Sequence, residues 1–272
     1  MKLLVLIPSY NSGAGLLTRT VQAALAEWPD VWVVIDGSSD DSAAAATELA
    51  VSQSRLRVLV LPANQGKGAA VLHGARAAQA EGFTHILSMD ADGQHPADYI
   101  PRFAQRAAAH DGAAVFGMPV FGPEAPPLRI QGRKVSNSLA ALETLGWGLG
   151  DSLFGMRVYP LPALLAAFAS TSWARRFDFD PEIAVRLAWA GVPIIVLPTP
   201  VRYLTVSEGG VSQFRYFRDN TLLTWMHTRL GCGFLLRLPI LLWRRIKGGN
   251  PLKQLVTRDA SEETNPAKPE PN

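Results

Sequence analysis

A chain of 272 residues, 48% hydrophobic and 18% charged, can bury a full core, which excludes a wholly disordered protein and fits one large domain with appendages. The net charge is only +3, but it is unevenly placed, because residues 220–258 carry seven Lys and Arg and no acid. One cysteine, Cys232, excludes an internal disulfide and fits a reducing compartment.

Leu3, Leu4, Val5, Leu6 and Ile7 follow Met1 and Lys2 directly. The run is too short for a secretory leader and no small-residue cleavage site follows, so it is read as a first buried strand. It ends in the loop Pro8-Ser9-Tyr10-Asn11-Ser12-Gly13, after which Leu16, Leu17, Thr20, Val21, Ala24 and Leu25 recur at helical spacing up to Pro29. A second strand over 31–35 opens into Asp36-Gly37-Ser38-Ser39-Asp40-Asp41-Ser42, and a helix over 43–51 follows. The third strand, 56–61, leads through Asn64-Gln65-Gly66-Lys67-Gly68 into a helix over 69–81. Phe83, His85, Ile86, Leu87 and Met89 form the fourth strand, which delivers Asp90-Ala91-Asp92-Gly93-Gln94-His95-Pro96. Strands alternating with helices predict a mostly parallel sheet flanked by helices, with polar loops at successive strand ends lining one crevice.

Two carboxylates one residue apart at a strand end repel each other, and a hard divalent cation relieves that repulsion while accepting phosphate oxygens as further ligands. Asp90 and Asp92 are therefore candidate ligands for Mg²⁺ or Mn²⁺ on a diphosphate, although Asp-Ala-Asp-Gly also suits a plain polar turn. Asp36 either accepts hydrogen bonds from a base or ribose or caps the following helix, and Lys67 between two glycines either approaches a phosphate or merely sits in a turn. No Gly-x-Gly-x-x-Gly follows the first strand and no Gly-x-x-x-x-Gly-Lys-Ser/Thr occurs, which argues against a dinucleotide oxidoreductase and a P-loop NTPase.

Further on, Arg157 after Gly155 is placed to aim a guanidinium fork at a phosphate, or is an ordinary ion-paired arginine. Asp180 before Pro181 reads as the N-cap of an amphipathic helix that Gly191 ends, and residues 192–197 as another strand. The glycines of 206–219 suggest a mobile loop closing over a donor, with Arg215 or Arg218 meeting phosphate. In 220–258, basic residues interleave with Trp225, Leu235, Leu236, Leu238, Ile240 and Trp243, as in interfacial helices that bury an apolar face and reach anionic headgroups. The uncharged apolar run 230–236 there is too short to span a bilayer, and the apolar bulk argues against a nucleic-acid surface. The polar, proline-rich tail 259–272 is expected to be disordered.

Taken in order, Pro8-Ser9-Tyr10-Asn11, Ile35-Asp36-Gly37-Ser38, the Gly66-Lys67-Gly68 loop and the Asp90 to Pro96 run resemble the nucleotide-sugar loops of family 2 glycosyltransferases with the GT-A fold. The last two are similar to those of dolichyl- and polyprenyl-phosphate sugar transferases. The resemblance covers about residues 3–205 and departs at Ile35, where an acid is usual. It implies donor contacts from Pro8, Tyr10, Asn11, Asp36, Ser38, Lys67, Asp90, Ala91, Asp92 and Gln94. It also implies acceptor or phosphate contacts from Arg129, Arg133, Arg157 and Glu182, with Arg215 added by the loop argument, and Asp180 as candidate base for a hydroxyl acceptor. Met156 stands where the family's Gly-Phe-Arg-x-Tyr block has Phe.

These readings combine into an α/β enzyme of GT-A type at residues 1–205, a linker at 206–219, basic amphipathic membrane-interface helices at 220–258 and a tail. The expected activity is metal-dependent, inverting transfer of a sugar from a nucleoside-diphosphate sugar to a polyprenyl phosphate or other lipid, peripheral on the cytoplasmic face of a membrane. A soluble acceptor with Asp180 as base, or a non-catalytic nucleotide-sugar-binding scaffold, are the competing readings.

Overall fold

A computed structural model describes residues 1–122, 127–146, 148–202 and 216–248, with no description of the side chains of 127–129 and 216–217. The four expected strand and helix units occur at β1 (Leu3–Ser9), α1 (Ala14–Glu27), β2 (Val31–Asp36), α2 (Ser42–Ser52), β3 (Leu56–Leu61), α3 (Lys67–Ala80) and β4 (His85–Ser88). The chain continues through α4 (Ile100–Ala109), β5 (Ala114–Phe121), α5 (Pro127–Glu143), β6 (Arg157–Pro160), α6 (Leu161–Ala169), α7 (Phe179–Ala190), β7 (Ile194–Val201) and α8 (Tyr216–Gly248). The described strands form one sheet in the order β3-β2-β1-β4-β6-β5-β7. Its pairs β1–β2, β1–β4, β2–β3 and β5–β7 are parallel, and β6 is antiparallel to both neighbours.

β1 is buried along its whole length, so its two faces feed two cores. Leu4 and Leu6 pack with Ala70, Val71 and Ala75 of α3 on one face; Leu3, Val5 and Ile7 pack with Leu17 and Val21 of α1 and Phe103 of α4 on the other. The sheet is thus covered on both sides, and the C-terminal ends of β1, β2 and β4 open at one edge.

Three details depart from the sequence expectation. β5 and β6 are additional to the strands expected above: β5 falls in the apolar run 113–121, whereas β6 is short and begins with Arg157. α7 starts at Phe179 with Asp178 in the cap position, so Asp180 lies inside the first turn and is not the cap. The basic C-terminal segment is a single helix over the described residues, starting at Tyr216 within the expected linker and running through Pro239. α8 buries Met226, Leu230, Phe234 and Leu241 against the sheet-and-helix core, which fixes its inner face. No helix among the described residues is long and apolar enough to cross a membrane. Residues 206–215 of the expected loop, Arg215 included, together with 203–205 and the segment 249–272, lie outside the described residues.

Candidate active site

The loops after β1 and β2 are laced together. Asn11, in a left-handed conformation at φ 47, donates from its backbone N–H to Ser38 Oγ at 3.1 Å, and its side-chain oxygen accepts the Ser39 N–H at 2.8 Å. Asp40 and Asp41 accept the N–H groups of Gly13 and Ala14 at 2.8 and 3.0 Å, which fixes the start of α1. Tyr10 beside them is 37% exposed at the crevice, whereas Pro8 is buried within β1.

Asp36 does a different job from the base contact expected of it. Its carboxylate is 2% exposed and accepts from Asn64 Nδ2 at 2.9 Å, Gln65 N–H at 2.8 Å and Gly66 N–H at 2.7 Å, so it shapes the loop that launches Lys67. Gly37, at φ 60, permits this closeness, because a Cβ there would lie 2.3 Å from the Ala63 backbone. Replacing Asp36 by asparagine would convert an acceptor oxygen into a donor facing backbone N–H groups. It is expected to destabilise the fold by about 2 kcal/mol, readable as a lowered urea midpoint, without changing which nucleotide base is preferred.

At the end of β4 the acids and the lysine meet. Lys67 Nζ lies 2.7 Å from Asp90 Oδ1 and 2.6 Å from Asp180 Oδ2. Burial alone would lower the Lys67 pKa, but the carboxylates of Asp180 and Asp90 outweigh it and raise it, so the side chain stays an ammonium. His95 accepts the Asp90 N–H on Nδ1 at 3.0 Å, and its ring packs edge-on against Phe154 at 4.7 Å, which pins the turn. Asp92 accepts the Gln94 N–H at 3.0 Å, the Gln94 carbonyl accepts the Arg202 N–H, and the carbonyl of buried Ala91 faces the Thr20 hydroxyl. Burial pushes both carboxyls upward; Lys67 and His95 bring Asp90 below its ordinary value, whereas the neighbouring Asp90 charge pushes Asp92 higher still. Asp90 is thus held ionised against Lys67, while Asp92 carries the like-charge stress of the pair. Among the described residues, Asp180 Oδ1 is buried with no hydrogen-bond partner.

Three expected phosphate-facing charges belong instead to the scaffold. Arg157 is fully buried; it donates to the Asp180 carbonyl at 2.6 Å and the Asp151 carbonyl at 3.0 Å, and lies over the Phe116 ring at 4.3 Å. It anchors the backbone that carries Asp180 and presents nothing to the crevice. Arg133 has its fork taken by Asp151 at 2.9 and 2.7 Å, and burial of Asp151 is outweighed by that guanidinium, which holds its carboxyl below the usual range. Glu182 is fully buried between Arg186 at 2.8 Å and Arg229 at 3.0 Å, clamping α7 to α8 and not facing an acceptor. The side chain of Arg129 lies outside the described residues. Conversely, sequence reasoning left His95 and Gly155 without roles. His95 stood inside the Asp90 to Pro96 run, and Gly155 inside the Gly-Met-Arg-Val-Tyr block, so the signal for each was its motif.

A sheet of this order, carrying an acid pair at the end of β4 beside the β1 and β2 loops, is the GT-A fold of glycosyltransferases. Glucosyl-3-phosphoglycerate synthase from Mycobacterium tuberculosis, solved with Mn²⁺, UDP and glucosyl-3-phosphoglycerate, shares it at a TM-score of 0.58 and 18% identity over 86% of this chain and 78% of that one. Glycosyl transferase family 2 matches residues 4–164; the chain belongs to that family and is a glycosyltransferase. Among its relatives, the polyprenol monophosphomannose synthase of Mycolicibacterium smegmatis is 29% identical over 77% of this chain and 80% of that protein. The undecaprenyl-phosphate 4-deoxy-4-formamido-L-arabinose transferase of Klebsiella pneumoniae is 31% identical over 85% and 67%.

Proposed function

We propose that this enzyme transfers a sugar, with inversion, from a nucleoside-diphosphate sugar to a polyprenyl phosphate at a membrane surface. The observation that carries the reading is the convergence of Asp90, Asp92 and Lys67 at the C-terminal end of β4, beside the open β1 and β2 loops; the names of the relatives support the acceptor class. Asp90 and Asp92 would hold Mg²⁺ or Mn²⁺. Among the described residues no three His, Cys, Asp or Glu side chains form a protein-only metal site. The donor set therefore fits a cation completed by phosphate oxygens and water rather than an all-protein cage. When bound, the cation stabilises the charge that builds on the departing diphosphate.

The chain's own residues supply position and charge. Lys67 offers a second positive centre within reach of a diphosphate, and the Asn11, Ser38 and Ser39 lacing keeps the nucleoside side of the crevice fixed. An acceptor phosphate is already anionic, so its oxygen forms the new bond to C1 as the bond from C1 to the diphosphate breaks, and no base is needed. A second reading, transfer to a hydroxyl, is favoured only by Asp180 Oδ1, a buried acceptor atom with no hydrogen-bond partner among the described residues. Incubating the full chain with a panel of nucleotide sugars and with polyprenyl phosphate, polyprenol or soluble acceptors, with and without EDTA, tests both. EDTA-sensitive product on polyprenyl phosphate alone is expected, and product only on hydroxyl acceptors overturns the first reading.

The membrane contact has a surface to match. α8 exposes Leu235, Leu236, Ile240, Trp243 and Ile246 among Arg237, Arg245 and Lys247, and α5 adds exposed Val135, Leu139 and Leu142. The two helices are joined by His227, which bonds Glu143 Oε1 and Ser136 Oγ, each at 2.9 Å. Leu236, 83% exposed, is free to change without disturbing the core. Leu236→Glu is expected to weaken sedimentation with anionic vesicles about tenfold, and unchanged partitioning would remove this face from the interface.

A further inference from the structure

Lys67 sits deeper than a residue awaiting only a phosphate needs to. Its side chain is 15% exposed, and its Nζ bridges Asp90 Oδ1 and Asp180 Oδ2 at 2.7 and 2.6 Å. Gly155 closes the space behind it, since a Cβ there would lie 2.7 Å from Nζ and 2.6 Å from Asp90 Oδ2. The ammonium therefore fills the position from which positive charge best serves both carboxylates, on the very oxygen that a divalent cation at Asp90 would seek.

We infer that Lys67 is the resident counter-ion of the free enzyme and makes cation binding depend on nucleotide. This rests on the metal-diphosphate reading above. An ammonium and a dication repel each other strongly at such distances, so a cation on Asp90 must displace Lys67 from that oxygen. Asp180 keeps its own contact with Nζ and tethers the lysine as it turns. Without a nucleotide the displaced charge is left beside the dication with no new partner; with a nucleoside diphosphate it gains phosphate oxygens. Metal and nucleotide then assist each other's binding by the same factor, as linkage requires. The lysine is a positioning residue for the acid pair before it is a phosphate ligand.

Manganese binding to the full-length chain, followed by electron paramagnetic resonance, tests this without any turnover. Wild type is expected to bind Mn²⁺ weakly alone and about tenfold more tightly with UDP or GDP, within the usual range for coupled sites. Lys67→Met alone should bind Mn²⁺ about tenfold more tightly than wild type alone, with little further gain from nucleotide, while Lys67→Arg retains the wild-type dependence. Should the methionine variant fail to fold, Lys67→Gln serves the same comparison. If wild type binds Mn²⁺ with nucleotide but the neutral variant alone binds no better than wild type alone, the counter-ion role is wrong and the metal reading stands. If wild type binds no Mn²⁺ even with UDP or GDP, the metal reading itself falls, and the inference with it.

Discussion

Asp90→Asn is expected to reduce sugar transfer by about 10³-fold or more, equivalent to about 4 kcal/mol of transition-state stabilisation, while leaving the chain folded. The side chain is 27% exposed, and an isosteric amide fits the same space. What the amide lacks is charge. It cannot hold a divalent cation against water, and it leaves Lys67 with Asp180 as its only charged contact of the two. Steady-state rates with the best donor, alongside Mn²⁺ binding and a thermal melt, check this. A variant that keeps transfer within tenfold of wild type would mean that Asp90 is a turn residue and that the leaving diphosphate is stabilised elsewhere.

The parts of this site that depend on Asp90 were legible because local sequence encodes them. Strands buried on both faces read as unbroken apolar runs, as 3–7 and 31–35 do, and each is followed by a loop whose polar residues have no core to join. The alternation with helical spacing then fixes parallel pairing and puts those loops on one edge. β6 escaped because it is four residues long and begins with an arginine, the one residue type that hydropathy assigns to the surface. Arg157 is buried there only because the carbonyls of Asp151 and Asp180 and the Phe116 ring await it, and none of the three is adjacent in sequence.

The same blindness explains the misplaced charges. A sequence shows that Arg133 and Glu182 carry charge and lie in blocks that a family uses for acceptors, but it does not show their partners. Arg133 meets Asp151 at a separation of 18 residues and Glu182 meets Arg229 at 47. Once a charge is buried and paired, as Glu182 is, separating it from its partner costs several kcal/mol, so it is scaffold and not a hand held out to substrate. Lys67 differs in that one of its two carboxylates, Asp90, is partly exposed at the crevice, where a substrate's own charges can take its place. The distinction between structural and functional ion pairs is therefore one of what lies beside them, which only packing reveals.

Gly155→Ala is expected to lower transfer about 10²-fold through packing alone. The φ of Gly155 lies outside the left-handed region, so alanine can adopt the backbone without strain. The added Cβ, however, would lie 2.6 Å from Asp90 Oδ2, 3.0 Å from Asp90 Oδ1 and 2.7 Å from Lys67 Nζ, closer than real Cβ atoms come to such neighbours. Because β6 is held between β4 and β5 immediately after this residue, the backbone has little freedom to retreat, and the carboxylate and ammonium must move instead. A displacement of about 1 Å in a group that positions the reacting phosphates is enough for a loss of this size. Gly132→Ala in α5, with nothing among the described residues within 4 Å of its Cβ, is the matched control and should retain full activity. Equal rates for the two variants, with equal melting temperatures, would mean that the Asp90 and Lys67 geometry beside Gly155 is not the one in which the bond to C1 changes hands.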